Sequence, residues 1–324
     1  MKTTRRHVLG LMAALACAPG VAISAAKWPN EKPIRIIVPF PPGGNSDLLA
    51  RAIGQQLSEK LRQSVVIENR SGAGGSIGAA AAAREAADGY TFLLGDIATQ
   101  VINELILPKL SYSPENDFVT VSRLTSVSLL FVANPKLGVK SFADFITQAK
   151  SNPGKLTYAS GGTGTPSHLA MAMLAANAGI ELVHVPYRGS APALNDIIAG
   201  EVDVMLDGAA TQLVRTGRLQ LLGVSGEKSP AFPDAPTIAQ AGVANYRFSS
   251  WHGIFAPKST PTEIVNSVAS ALSDILGQPA LKKQFADQNI QLLASNQKAF
   301  NDFIKQQKEE FTKLVREQNI KAQS

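Results

Sequence analysis

This sequence predicts an α/β protein of two lobes, each with a mixed, mostly parallel sheet. Short runs rich in β-branched residues alternate with helical patterns through most of the chain. A strand, glycine turn and helix start occur together once in each half. Strand-like segments at 116–133 and 251–256 offer a crossing into a second lobe and a return from it.

The first such unit begins with Ile36, Ile37 and Val38, a β-branched run expected to be a buried strand. Pro41, Pro42, Gly43 and Gly44 cannot continue it. Asn45, Ser46 and Asp47 are helix-start residues, and Leu48, Leu49, Ile53 and Leu57 follow at helical spacing. In the second unit, Leu156–Ser160 is the strand and Gly161, Gly162, Thr163 and Gly164 make the turn. Thr165 can cap, and Pro166 fits the first helical position. Each turn would present unpaired backbone N–H groups at the positive end of a helix dipole, which suits an anion. Taken singly, either is an ordinary βα turn; two hydroxyl-rich copies make a two-sided anion site.

Before the fold, Lys2, Arg5 and Arg6 precede an apolar run from Val8 to about Ala18, and small residues end at Ser24, Ala25 and Ala26. This is an export signal over residues 1–26, with a twin-arginine pattern at Arg5-Arg6; cleavage after Ala26 or Ser24 fits. The only cysteine, Cys17, lies inside it, where lipidation is the alternative fate. The whole chain carries a formal charge of +6, and the signal holds three bases and no acid, so the remainder carries about +3. No basic block with interleaved aromatics occurs, so no nucleic-acid partner is expected. The 45% apolar content suffices for full cores.

Further strands are expected at Ser64–Ile67, Tyr90–Leu94, Leu182–Val185, Val202–Asp207 and Leu219–Val224. An alanine helix follows Gly72–Gly78, a helix starts after Pro261, and Phe300, Phe303, Ile304, Phe311 and Leu314 repeat at helical spacing.

Several constellations compete with the anion site. Gly74-Gly75-Ser76-Ile77-Gly78 matches a nucleophile elbow, and Asp207 and His252 follow in hydrolase order. A serine hydrolase using Ser76 is therefore the alternative function. Loop residues between Glu68 and Ser76 weaken it, because an elbow serine sits at a strand end. The same run fails as a dinucleotide fingerprint, with Ile77 at the third glycine. His168, His184 and His252 lack metal-ligand spacing, so neither metal nor cofactor is expected. His168 can line the cleft or pack. Asp203 and Asp207 share a strand face, either as a solvated edge or with Asp207 reaching the cleft. Tyr187 and Arg188 follow a strand end; Arg188 can grip a carboxylate or make a surface ion pair.

One further set of residues runs along the chain: Trp28-Pro29, Val38-Pro39-Phe40, Pro42-Gly43-Gly44, Asp47, Ala50-Arg51, Glu68-Asn69-Arg70 and Asp88-Gly89-Tyr90-Thr91. Gly162–Thr165, His168-Leu169, Val185-Pro186-Tyr187, Val202-Asp203-Val204, Trp251, Gly253 and Ala256-Pro257 continue it. With these residues the chain resembles the Bug-type receptors of tripartite tricarboxylate transporters. The resemblance implies a type II periplasmic-binding-protein fold of the Venus-flytrap kind. Residues 27–126 plus 249–324 would form lobe one and 127–248 lobe two. It implies a periplasmic monomer with no catalytic residue, serving integral-membrane transporter components. A small carboxylate ligand would meet Phe40, Pro42, Gly43, Gly44, Ser46, Asp47, Ile97, Ala98, Ser160, Gly162, Thr163, Gly164, Thr165, His168, Tyr187, Arg188 and Asp207.

Overall fold

The computed structural model describes residues 28–317 and Ile320; the export signal, its arginine pair and Cys17 lie outside the described residues. Strand β1 (Ile34–Val38) pairs in parallel with β2 (Val65–Asn69) on one side and β3 (Thr91–Asp96) on the other. Ile34, Ile36 and Val38 share a core with Leu49, Ile53 and Leu57 of helix α1 (Asn45–Leu61). Ile37 points the other way and joins Ala79, Ala80 and Ala82 of α2 (Ser76–Ala83). A strand covered on both faces needs this continuous apolar run. The small residues of α2 have a geometric cause. A Cβ on Gly78 would stand 2.5 Å from the Arg70 carbonyl oxygen and 2.7 Å from Pro39 Cα, so the helix rides directly on the loops beneath it.

After β3, a π-helical stretch (Ala98–Ile102) runs into the short α3 (Asn103–Ile106). Strand β4 (Phe118–Arg123) follows. The expected 116–133 crossing breaks into three pieces, β4, β5 (Thr125–Ser126) and β6 (Leu130–Ala133), which serve three different sheets. The second sheet adds β7 (Thr157–Ser160), β8 (Val183–Pro186), β9 (Val204–Asp207) and β10 (Gln220–Val224) in the order β10-β6-β9-β7-β8. Helices α4 (Phe142–Ser151), α5 (Pro166–Ala178), α6 (Ser190–Ala199) and α7 (Thr211–Arg215) lie between these strands in sequence. The chain then returns as β11 (His252–Pro257), antiparallel between β3 and β4, and completes the order β2-β1-β3-β11-β4. Parallel pairing is confined to the βαβ half of each sheet. Strand β6 in the second sheet and the return strand β11 in the first run against it and pair antiparallel with both neighbours.

The two crossing segments hold each other. Leu124 donates its N–H to the His252 carbonyl at 2.8 Å, and Val127 and Ser250 exchange N–H···O bonds at 2.8 and 3.0 Å. Helices α8 (Thr262–Gly277) and α9 (Pro279–Ala286), strand β12 (Gln291–Leu292) and helix α10 (Gln297–Glu317) complete the chain. Val265, Val268, Leu272 and Ile275 of α8 enter the α1 core. Phe300, Phe311 and Leu314 of α10 enter a cluster that also takes in Ile37 and Leu93 of the first sheet and Phe131 and Leu206 of the second.

Around the return strand, Trp251 meets Phe300 and Phe303 edge-on at 5.5 and 5.7 Å, and Phe255 lies 5.2 Å from Phe300. Gly253 makes room for this: a Cβ there would lie 2.3 Å from the Phe300 ring and 3.1 Å from the Ser122 carbonyl. Gly253→Ala should therefore destabilise the fold by about 1–3 kcal/mol through overpacking. Phe300→Leu in the same chain should recover part of that loss. Urea denaturation of the two single variants and the double variant checks it: additive losses would show that Gly253 and Phe300 do not compete for space.

Candidate functional site

The turns predicted from sequence lie at the C-terminal ends of parallel strands, the edge where open α/β sheets place ligands. The first turn spans Phe40–Gly44 after β1. Gly44 is the N-cap of α1, and the first intrahelical bond runs from Leu48 N–H to the Gly44 carbonyl at 3.0 Å. The N–H groups of Asn45, Ser46 and Asp47 thus start the helix without an intrahelical acceptor. Gly43, not Gly44, takes the left-handed backbone, with φ +86° against −80°. A side chain at Gly43 would be strained by conformation alone.

Asp47 braces this turn. One carboxylate oxygen accepts from Gly43 N–H and Arg51 Nε, both at 2.9 Å; the other accepts from Asn69 Nδ2 at 2.9 Å. Asn69 also donates to the Phe40 carbonyl at 3.1 Å. The Arg51 hydrogen bond leads in holding the Asp47 carboxyl down at about 2, aided by Gly43 and Asn69 against burial. Expected to contact ligand, Asp47 instead spends both oxygens inside the turn, because its helix-start position places it under the loop it caps.

The second turn is more self-contained. Ser160 Oγ accepts from Gly162 N–H, Ser167 Oγ from Gly161 N–H, and His168 Nδ1 from Gly164 N–H, at 3.0–3.1 Å. Thr165 does not cap α5 with its side chain. Its hydroxyl donates to the Gly162 carbonyl at 2.6 Å and lies 3.1 Å from Ser167 Oγ. His168 packs behind the turn, stacked on His184 with ring centres 4.2 Å apart, and Ser160 Oγ lies 2.7 Å from His184 Nε2. What stays open is Thr163: its Oγ1 is buried and has no partner among the described residues.

The second turn packs against the segment that follows β3, and the first turn reaches it by way of Gly75. Gly75 lies so close to Thr99 and Phe40 that a Cβ would stand 2.7 and 3.2 Å from them, and a Cβ on Gly164 would stand 2.2 Å from Ile106 Cδ1. Ile97 and Ala98 open that segment and are buried. Phe40 thus reaches the 97–106 stretch through Gly75, and Gly164 of the second turn packs against its far end at Ile106.

The remaining expected residues divide. The Tyr187 hydroxyl is tied to Asp196 Oδ2 at 2.6 Å, while Tyr187 N–H donates to the Ser160 carbonyl and zips this loop to the second turn. Arg188 on that loop is exposed and makes no ion pair among the described residues, so the surface-bridge alternative is not what forms. Pro42 is likewise exposed at the mouth. Asp207 is buried and accepts from Ser190 Oγ at 2.6 Å and Ala209 N–H at 2.7 Å; burial raises its carboxyl. Asp203 accepts from the Thr157 N–H and hydroxyl, so neither acid is a solvated edge. The order Ser76, Asp207, His252 does not assemble: both ring nitrogens of His252 face Ser46 and Thr125 hydroxyls, each at 3.0 Å. Sequence reasoning missed His252 and Thr125 as site neighbours, since only β-strand pairing brings them beside Ser46.

Burial lowers the rings of His168, His184 and His252 to about 4, with His184 adding to the effect on His168. Their folded values lie below the unfolded 6.5, so the unfolded chain takes up protons first as pH falls. Stability is full above pH 6.5 and is lost toward pH 4, by up to about 1.4 kcal/mol per histidine per pH unit. Asp96, raised to about 6 by burial, binds its proton first in the folded state and offsets about one histidine. Urea denaturation at pH 7 and pH 5 should show lower stability at pH 5, and ring NMR should find the three histidines still neutral in the folded chain at pH 5. Titration near 6.5 would contradict the burial argument.

Residues 49–320 match the family described as the tripartite tricarboxylate transporter family receptor. The protein BugT of Bordetella pertussis is 34% identical over 320 residues, 97% of each chain. The structure of Rpa4515 from R. palustris with adipate superposes with a TM-score of 0.84 at 33% identity, covering 91% of this chain and all of that one. MatC from Rhodopseudomonas palustris with bound malate gives 0.78 at 28% identity, covering 88% and 99%. The chain therefore belongs to the Bug-type receptors of the tripartite tricarboxylate transporter family, solute-binding proteins of the two-lobed periplasmic-binding-protein fold.

Proposed function

We propose that this protein captures a small carboxylate between its two lobes in the periplasm and delivers it, as a monomer and without turnover, to the membrane components of a tripartite tricarboxylate transporter. The observation that carries this reading is the buried, unpartnered Thr163 hydroxyl in the second turn. A buried polar group without a partner is costly, so a missing acceptor is the simplest complement. On the other lobe, the start of α1 contributes free N–H groups and a positive dipole end to an exposed turn. Arg188 supplies a cation at the mouth. The wall at Ile97 and Ala98 is apolar and suits the carbon chain of a small acid. Adipate and malate, the ligands of two similar structures, have this chemistry. The lobes would comprise residues 27–126 plus 249–324 and residues 127–248, with the paired crossings as hinges.

A thermal-shift screen of the mature protein against mono-, di- and tricarboxylates and amino acids identifies the ligand, since binding to the native state raises the melting temperature. Thr163→Ala should then weaken calorimetric affinity roughly tenfold to hundredfold, as expected for a lost hydrogen bond to a charged acceptor. Ser76→Ala should leave affinity unchanged, and no ester should be consumed. Wild-type affinity in Thr163→Ala would remove the second turn from the site. Small-angle scattering at saturation should show a smaller radius of gyration, because a ligand touching both lobes favours closure; an unchanged radius would count against closure.

A further inference from the structure

His252 lies between the hinge and the first turn, and its hydrogen bonds have a direction. Thr125 is fully buried in the crossing segment. Its Oγ1 accepts the backbone N–H of His252 at 3.0 Å and lies 3.0 Å from the ring Nδ1. Among the described residues, the Thr125 hydroxyl proton has no other acceptor. If Nδ1 carried the ring proton, Oγ1 would accept twice and its own proton would be orphaned in the core, which buried groups avoid. Thr125 therefore donates to Nδ1, and the neutral ring carries its proton on Nε2. Burial, which lowers this ring to about 4, agrees with a neutral imidazole. Nε2 then donates to Ser46 Oγ at 3.0 Å. Ser46 has accepted, its own proton meets no acceptor among the described residues, and it stands half-buried in the first turn of α1.

We propose that His252 is a positioning residue that relays a donor from Thr125 to Ser46, so that the Ser46 hydroxyl presents its own proton to an acceptor oxygen of the ligand. This rests on the carboxylate-site reading above and adds a specificity element to it. A carboxylate oxygen meets a waiting proton at Ser46; an ammonium could use only the remaining lone pair of Oγ and would leave that proton unpaired. The same tautomer makes Ser46 a poor nucleophile, because a catalytic base must accept the serine proton and here the ring nitrogen facing Ser46 already bears one.

Two measurements test the relay. Long-range proton–nitrogen NMR of the mature protein, with the ring assigned by comparison with His252→Asn, should show the Nε2–H tautomer; an Nδ1–H ring overturns the proposal. Calorimetry with adipate and malate should show that Thr125→Val and Ser46→Ala each weaken binding about tenfold to hundredfold. The double variant should be no weaker than either single one, and Thr125→Ser should bind like wild type. Losses that multiply in the double variant would reduce Thr125 to a structural support and sink the relay. If Ser46→Ala and Thr163→Ala both keep full affinity, the carboxylate-site reading itself fails, which is a separate outcome. If Thr125→Val does not fold, or neither acid binds wild type, the ring tautomer alone decides.

Discussion

The antiparallel pairing of the two crossing segments is the constraint on which the rest of this molecule depends. Residues 124–127 and 250–252 are the places where the chain passes between sheets, and they bond to each other through backbone groups and through Thr125. A single crossing would leave the second sheet on a tether. Two paired crossings confine its movement to the axis they share. The pairing also carries β11 into the middle of the first sheet, which seats Trp251 and Phe255 against Phe300 and draws α10 onto the core shared by both sheets.

Around the cleft, most polar groups are spent on one another. Asp47, Asn69 and Gly43 lock the first turn; Ser160, Ser167, His168 and His184 lock the second. Low dielectric strengthens such networks and makes a vacancy within them costly. That is why the few groups left open carry the functional argument. The Thr163 hydroxyl, the helix-start N–H groups of α1 and the Ser46 proton are held by neighbours whose own valences are filled. Most of the shell behind these groups is already hydrogen-bonded, although Gln100 Nε2 in the 97–106 stretch is also buried without a partner among the described residues.

Much of the fold was legible in the chain. Ile36-Ile37-Val38 announced a strand buried on both faces, Asn45–Leu57 a helix with one apolar stripe, and Gly161–Pro166 a turn into another helix, because these features follow from local sterics and hydrophobic periodicity. The C-terminal phenylalanines were recognised as core for the same reason. The roles of individual turn residues were less legible. Gly43 rather than Gly44 takes the positive φ, and Thr165 bonds backward to Gly162 instead of capping, since both depend on how the loop is pulled down by Asp47 and Ser167. His168 was readable as cleft or core, and packing against His184, a residue from a neighbouring strand, decided for core.

By itself, then, the sequence determined which segments become strands and helices, where the two glycine turns fall, and that the chain resembles carboxylate receptors along nearly its whole length. Those properties reside in near neighbours, in periods of two and 3.6, and in turn chemistry. Tertiary structure alone decided which hydroxyls and acids are free. Ser46, Thr125 and His252 become neighbours only when β11 slides between β3 and β4 beside the crossing, and Asp207 gains the Ser190 hydroxyl only when α6 brings it there. Hydrogen-bond capacity is short-range and saturable, so whether a polar side chain serves the fold or the ligand depends on which distant residue reaches it first in space.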